Sequence, residues 1–189
     1  VILLDYIASI FLLLSAITAH QFQIKTWLYG IISCVAYFII FFNNHLYADM
    51  ILQVFYIIFS VFGFLAWSAH KSLNKYNITE SMIRAKDLKK MYITYFEFAF
   101  ISIPIIGYLL SKTNDPLPYI DSMLFIFSII ATIMLTMKDE NSWLVWMFVN
   151  AIYFVIFGQR ELFSSSFIYL ILFINAFYGY YKWDKIQKD

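Results

Sequence analysis

The sequence predicts an all-α integral membrane protein of seven transmembrane helices arranged as three, one and three, and three observations carry that prediction. Of its 189 residues, 62% are hydrophobic and only 13% charged, with a mean hydropathy of +0.74, outside the usual composition of soluble globular chains. The apolar residues gather into seven runs, each near the roughly 20 residues that a helix needs to cross about 30 Å of hydrocarbon. The first three runs match the last three in sequence, with one unmatched run between them.

The first run, Ile2 to about His20, lacks a basic start and carries Asp5 near its beginning, so it reads as a mature helix and not a secretory leader. Further runs follow at about Trp27 to Phe42, Tyr47 to Trp67, Tyr92 to Leu110, Tyr119 to Met137, Trp143 to Phe157 and Leu162 to Trp183. Strands are disfavoured because an open sheet edge leaves backbone groups unsatisfied in lipid, and the runs lack the alternation of an outer-membrane barrel. Trp27, Trp67, Tyr92, Trp143 and Trp183 stand at run ends, where amphipathic rings anchor in the headgroup layer. Asp5 and Asp121 open their runs, where a carboxylate suits the helix dipole. Glu97 falls about one turn into the fourth run, and Pro104 is expected to kink it.

The connection from Ser68 to Met91 holds Lys71, Lys75, Arg84, Lys86, Lys89 and Lys90, which places it in the cytoplasm. Alternation then sets Lys25, Lys138, Lys182, Lys185 and Lys188 on the same side and leaves only Lys112 and Arg160 outside. The N-terminus is therefore expected outside and the C-terminus in the cytoplasm. On that topology the sequon Asn77-Ile78-Thr79 is a coincidence. The basic loop reads first as a topology signal and second as a contact for anionic membrane lipid. The single cysteine, Cys34, excludes an internal disulfide or cysteine-based metal cluster. HExxH, GxSxG and Gly-rich phosphate motifs are absent, and His20, His45 and His70 lie near separate helix ends. No enzyme, metal, cofactor or nucleic-acid partner is expected.

Shifting Asp5–Trp67 by 116 residues lays it on Asp121–Trp183 without a gap, with 14 of 63 positions identical. The matches include Asp5 with Asp121, Trp27 with Trp143, Tyr37 with Tyr153, Gly63 with Gly179 and Trp67 with Trp183. Apolar bias produces Ile and Leu matches but does not readily align Asp, Gly and two Trp in one register. The chain thus divides into a first three-helix bundle (1–68), a basic loop with a linking fourth helix (69–118) and a second bundle (119–189). One extra crossing between the bundles makes them parallel repeats, the SWEET-like architecture of transporters whose substrate path lies between the bundles.

In the sixth run Trp143, Trp146 and Asn150 stand as WxxWxxxN. At 100° per residue they share an arc of about 60°, so one face presents two indoles and a carboxamide. Phe154 and Phe157 continue the stripe. Such a face can stack on a planar ring or hold a cation, a cation over indole gaining about 0.5 to 2 kcal/mol. The structural alternative is that Trp143 anchors, Trp146 packs and Asn150 bonds a neighbouring helix. The repeat favours a site, because Trp146 and Asn150 correspond to Gly30 and Cys34, so the second bundle carries equipment the fold does not require there. In the third run Gln53, Tyr56 and Ser60 share a face, and the Gln53 amide can donate and accept, with helix-to-helix bonding as its competing use. On the seventh run Tyr169 occupies the repeat position of Gln53 and Asn175 adds an amide; helix packing suits both as well as substrate contact does.

These residues resemble the PnuC family of vitamin transporters. The matching stretches are LYADMILQVFYIIFSVFGFLAW (Leu46 to Trp67), DSMLFIFSIIATIMLTMK (Asp121 to Lys138) and WLVWMFVN, which holds the family's substrate-site signature at Trp143, Trp146 and Asn150. The resemblance implies a bacterial inner-membrane homotrimer with a pathway in each protomer, moving a vitamin by facilitated diffusion. A cytoplasmic vitamin kinase would then trap the import by phosphorylation. Nicotinamide riboside is the first substrate it suggests and thiamine the second, both cations suited to the aromatic stripe; other members handle riboflavin. Two departures stand out: GFLAW where GWYxW is frequent, and Ser60 where some nicotinamide riboside carriers have Asn. A membrane subunit that binds a vitamin without flux is the alternative of another class.

Overall fold

Each apolar run becomes one helix in the computed structural model, which describes residues 2–43, 47–73, 85–113, 116–159 and 163–188. The order is α1 (Ile2–Ala19), α2 (Lys25–Asn43), α3 (Tyr47–Leu73), α4 (Ala85–Leu110), α5 (Pro118–Thr136), α6 (Ser142–Gln159) and α7 (Phe163–Lys188). Among the described residues, five of these hold a segment long and apolar enough to cross a membrane: Lys25–Asn43, Met50–Ser68, Lys89–Leu110, Pro118–Thr136 and Ser142–Gln159. The expected spans at α1 and α7 are not among them. α1 supplies a shorter apolar stretch, Leu3–Ala19. α7 has the length, but Ser164, Ser165, Ser166, Asn175 and its charged end dilute its apolar character.

Helices neighbouring in sequence pack together, except α3 and α4, and two further contacts join the halves: α3 on α5, and α1 on α7. With α3, α4 and α6 all against it, α5 is the most enclosed helix, and Ser122, Leu124 and Ala131 are wholly buried. Its buried hydroxyls return to backbone carbonyls, Thr132 to Ser128 at 2.7 Å and Ser122 to Ile103 of α4 at 3.1 Å, so no polar group there is wasted. α4 is the opposite case: it covers α5 with one side and exposes Phe96, Phe100, Ile101 and Leu109, a surface suited to lipid.

Residues 116 apart repeat each other's backbone. α1 and α5 both end with a left-handed residue, Phe22 at φ 53° and Lys138 at φ 60°. In each, a pair of cap bonds forms: Phe22 N–H to Ala19 O with Gln23 N–H to Thr18 O, and Lys138 N–H to Leu135 O with Asp139 N–H to Met134 O. This is the Schellman closure of a helix C-terminus, made without the usual glycine. The tryptophans repeat too. Trp27 meets Trp67 edge to face at 5.3 Å and 84°, and Trp143 meets Trp183 at 5.3 Å and 88°. Gly63 and Gly179 make room for these rings, since a Cβ on either would come within 2.5–2.6 Å of Trp27 or Trp143.

Three expectations are corrected. The tryptophans at run ends are not headgroup anchors: Trp27, Trp67, Trp143 and Trp183 are 3, 4, 3 and 0% exposed and form one core, because rings from both halves converge where α1–α2 and α5–α6 turn. Tyr92 likewise turns to protein, donating to Asp139 at 2.7 Å and accepting from Asn141 at 2.9 Å. The basic connection is shorter than its composition suggests, since α3 continues to Leu73 and α4 begins at Ala85. Solvated lysines are good helix formers, so charge ends the apolar run without ending the helix. Glu97 consequently lies three turns into α4 and is exposed. The sequon and Arg160 fall outside the described residues.

Candidate functional site

α6 sets Trp143, Trp146 and Asn150 away from its outer face, which carries the exposed Leu144, Phe148 and Val155. Trp143 is consumed by the tryptophan core, wedged on Gly179. Trp146 is half-buried and packs against two clusters, the tryptophan core on one side and Leu124, Val149 and Ile156 on the other. Asn150 is 5% exposed, and its carboxamide makes no hydrogen bond to any described residue. A carboxamide in an otherwise apolar wall can both donate to and accept from a ligand. The stripe does not continue through Phe154, which is exposed; Phe157 instead stacks on Tyr169.

On α3, Gln53 and Ser60 are buried, and Tyr56 is hydrogen-bonded to Ser128 across the contact with α5. Ser60 faces the first unit: its Oγ and that of Ser15 both lie 3.4 Å from where a Cβ on Gly30 would sit. Gly30 is the repeat position of Trp146, so the space one unit fills with an indole the other leaves beside two hydroxyls. α3 and α6 do not pack on each other; α3 reaches the second unit through α5. Gln53 and Ser60 thus stand on a helix that does not pack directly on the one carrying Trp146 and Asn150.

The two α7 residues serve packing. Tyr169 stacks on Tyr153 at 4.7 Å and Phe157 at 5.3 Å, and Asn175 donates to the Ala16 carbonyl of α1 at 3.0 Å. Sequence reasoning missed Ser128, Phe22 and Lys138. Lys138 holds its ammonium 5.7 Å from the Trp67 ring and 5.9 Å from the Phe22 ring, and burial pulls its pKa below the usual lysine value. The repeat was the available signal, since Phe22 and Lys138 are equivalent positions.

Among the described residues no group of three or more His, Cys, Asp or Glu side chains could hold a metal ion. A helical wall bearing an amide and an indole, with apolar surface outward, has the chemistry to line a solute path. Residues 2–185 match the model of the nicotinamide mononucleotide transporter family. The chain belongs to that family. It is a multi-pass membrane transporter, not an enzyme. Similar proteins include the nicotinamide riboside transporter PnuC of Escherichia coli (strain K12), 29% identical over 186 residues that cover 85% of this chain and 76% of that one. The proteins of that name from Neisseria mucosa and Haemophilus influenzae are 23% and 22% identical, covering 96% and 98% of this transporter and 72% and 80% of theirs. A crystal structure of the vitamin B3 transporter PnuC superposes with a TM-score of 0.73 at 19% identity, over 98% of this chain and 82% of that one, and shares its fold.

Proposed function

We propose that this transporter carries nicotinamide riboside across a bacterial inner membrane by facilitated diffusion, along a path between two parallel three-helix units. The observation that carries the reading is Asn150: a buried carboxamide with no hydrogen bond to another described residue, one turn from the half-buried Trp146 indole. The amide matches a carboxamide or sugar hydroxyl, and the indole face matches a flat cationic ring. The names of the relatives support the same ligand. Gln53, Tyr56 and Ser60 serve as the opposing wall, Trp143 as the support of Trp146, and Tyr169 and Asn175 as the frame of α7.

The units are 1–68 and 119–189, joined by 69–118, in the 3+1+3 SWEET-like plan with seven crossings. The matched caps and tryptophan pairs support that plan. In it the N-terminus lies outside, the C-terminus is cytoplasmic, the basic loop marks the cytoplasmic side with contact to anionic lipid as its second role, the assembly is a homotrimer, and a cytoplasmic kinase traps the import.

The test is purified chain in proteoliposomes. Labelled nicotinamide riboside should equilibrate without an ion gradient, and titrations against thiamine and riboflavin should rank it first. Preferential thiamine binding would move the substrate within the family. Binding without flux would mark a receptor subunit, and a strict need for a proton or sodium gradient would overturn facilitated diffusion.

A further inference from the structure

We propose that Trp67 and Trp183 close the transport path at the face bearing the α1–α2 and α5–α6 connections, each by latching its own three-helix unit to the other. The proposal rests on the reading of a path between the two units. Trp67 of α3 donates its Nε1–H to the carbonyl of Thr136, at the end of α5, at 3.0 Å. Trp183 of α7 donates to the carbonyl of His20, just past the end of α1, at 3.2 Å. Donors and acceptors both differ by 116 residues, so the two bonds are one bond made twice, crossing between the units in opposite directions.

The seal is aromatic. The Trp67 and Trp183 centroids are 6.5 Å apart, Phe22 stacks on Trp183 at 4.2 Å and 12°, and the Lys138 ammonium lies over both Trp67 and Phe22. Phe22 and Lys138 come from the two connections at equivalent left-handed positions, so each connection supplies one cover. A flat solute has no passage between rings at these separations.

The same geometry makes the closure releasable. Both acceptor carbonyls belong to helix ends, whose last four C=O groups have no helical partner, so letting go breaks no helix bond and water can take the place. The partner indoles, Trp27 and Trp143, are buried with Nε1 unpartnered. The closed arrangement therefore withholds two hydrogen bonds that a hydrated one would supply, which narrows the gap between states as alternating access requires. Gly63 and Gly179 lie one turn before the latching residues and let α3 and α7 pass directly over Trp27 and Trp143. Rocking of one repeat against the other would part the indoles there.

Two experiments decide it. In the Cys34→Ala protein, Phe22→Cys and Lys138→Cys are joined in proteoliposomes by a short bis-methanethiosulfonate, which forms a disulfide to each thiol with loss of sulfinate and is cleaved by reductant. Nicotinamide riboside uptake should fall about tenfold or more and return on cleavage, while binding at equilibrium stays within about twofold. Uptake unchanged after verified cross-linking overturns the latch. In the second, Trp67→Phe with Trp183→Phe keeps rings but removes both donors. An impermeant maleimide applied to the connection face should label native Cys34, the repeat counterpart of Asn150, about tenfold faster than in the parent. Equal rates overturn the proposal. Labelling needs no substrate, so it stands apart from the substrate assignment, which fails if the parent neither binds nor carries nicotinamide riboside.

Discussion

The first and second three-helix units share a framework and differ in its furnishing. Trp27 and Trp143, Gly63 and Gly179, Trp67 and Trp183, and the left-handed Phe22 and Lys138 repeat to within a few degrees and tenths of an ångström. Against that constant frame, Gly30 and Cys34 stand at the repeat positions of Trp146 and Asn150, and the enclosed α5 has an α1 counterpart whose Leu3, Tyr6, Ile10, Leu14 and Ile17 are exposed. What recurs is what the fold needs to close its helix ends. What differs is free to serve the substrate, and the second unit carries more of it.

The sharpest test of that division compares counterparts. Asn150→Ala should cost roughly hundredfold in nicotinamide riboside affinity, about 2.7 kcal/mol, the scale of a buried hydrogen bond to a charged or tightly held group. Trp146→Ala should lose a comparable amount, whereas Cys34→Ala and Gly30→Ala should stay within about twofold by titration. A Cys34→Ala loss as large as that of Asn150→Ala would mean that both units line the site alike.

The frame itself should respond symmetrically. A Cβ at Gly63 would meet Trp27 at 2.5 Å and one at Gly179 would meet Trp143 at 2.6 Å. Overpacking of this kind costs about 1–3 kcal/mol, so Gly63→Ala and Gly179→Ala should lower thermal stability in detergent by similar amounts. A one-sided effect would break the equivalence of the units.

At the helix ends the backbone is shared and the side chain is not, so the sign should split. Glycine relieves a left-handed strain of about 1–2 kcal/mol at either position. Lys138→Gly forfeits a cation–π contact of about 0.5–1 kcal/mol and should be neutral or stabilising. Phe22→Gly forfeits a ring stacked on Trp183 and its burial, about 1.5–3 kcal/mol, and should be destabilising. Melting curves of the two variants side by side measure the difference.

The helices and the repeat were legible because apolar runs and a shared register of Asp, Gly and Trp are local properties of the string. The α6 face was legible for the same reason: WxxWxxxN fixes which side chains share a side. Partners were not. Trp67 stands at a run end as an interfacial anchor would, yet its indole bonds to Thr136, 69 residues away. Tyr169 and Asn175 have the chemistry of a site, yet their neighbours, Phe157 and Ala16, use it for packing. Ser128 gave no signal of its own, since a lone serine in an apolar helix looks alike whether or not a tyrosine on α3 meets it.

The smallest expected effect comes from the one titratable difference at the latches. His20 and Thr136 both offer carbonyls to a tryptophan, but only His20 carries an ionisable ring. That ring is buried, meets Tyr178 edge to face at 5.0 Å, leaves Nδ1 unpartnered, and is faced from α7 by Lys182 and Asn175. Burial first, and then the Lys182 charge, hold its pKa below the ordinary 6.5, while the Asn175 hydrogen bond opposes them. The unfolded chain therefore takes up the proton more readily than the folded one. Stability from this group is complete above 6.5 and is lost as pH falls through that value toward the lower folded pKa. Thermal stability in detergent should drop between about pH 7.5 and pH 5.5, and His20→Gln should flatten the drop. Parallel curves for parent and variant would assign the dependence elsewhere. Because the protonated ring would sit at the Trp183 latch and not at the Trp67 latch, acid should loosen one half of a matched pair before the other.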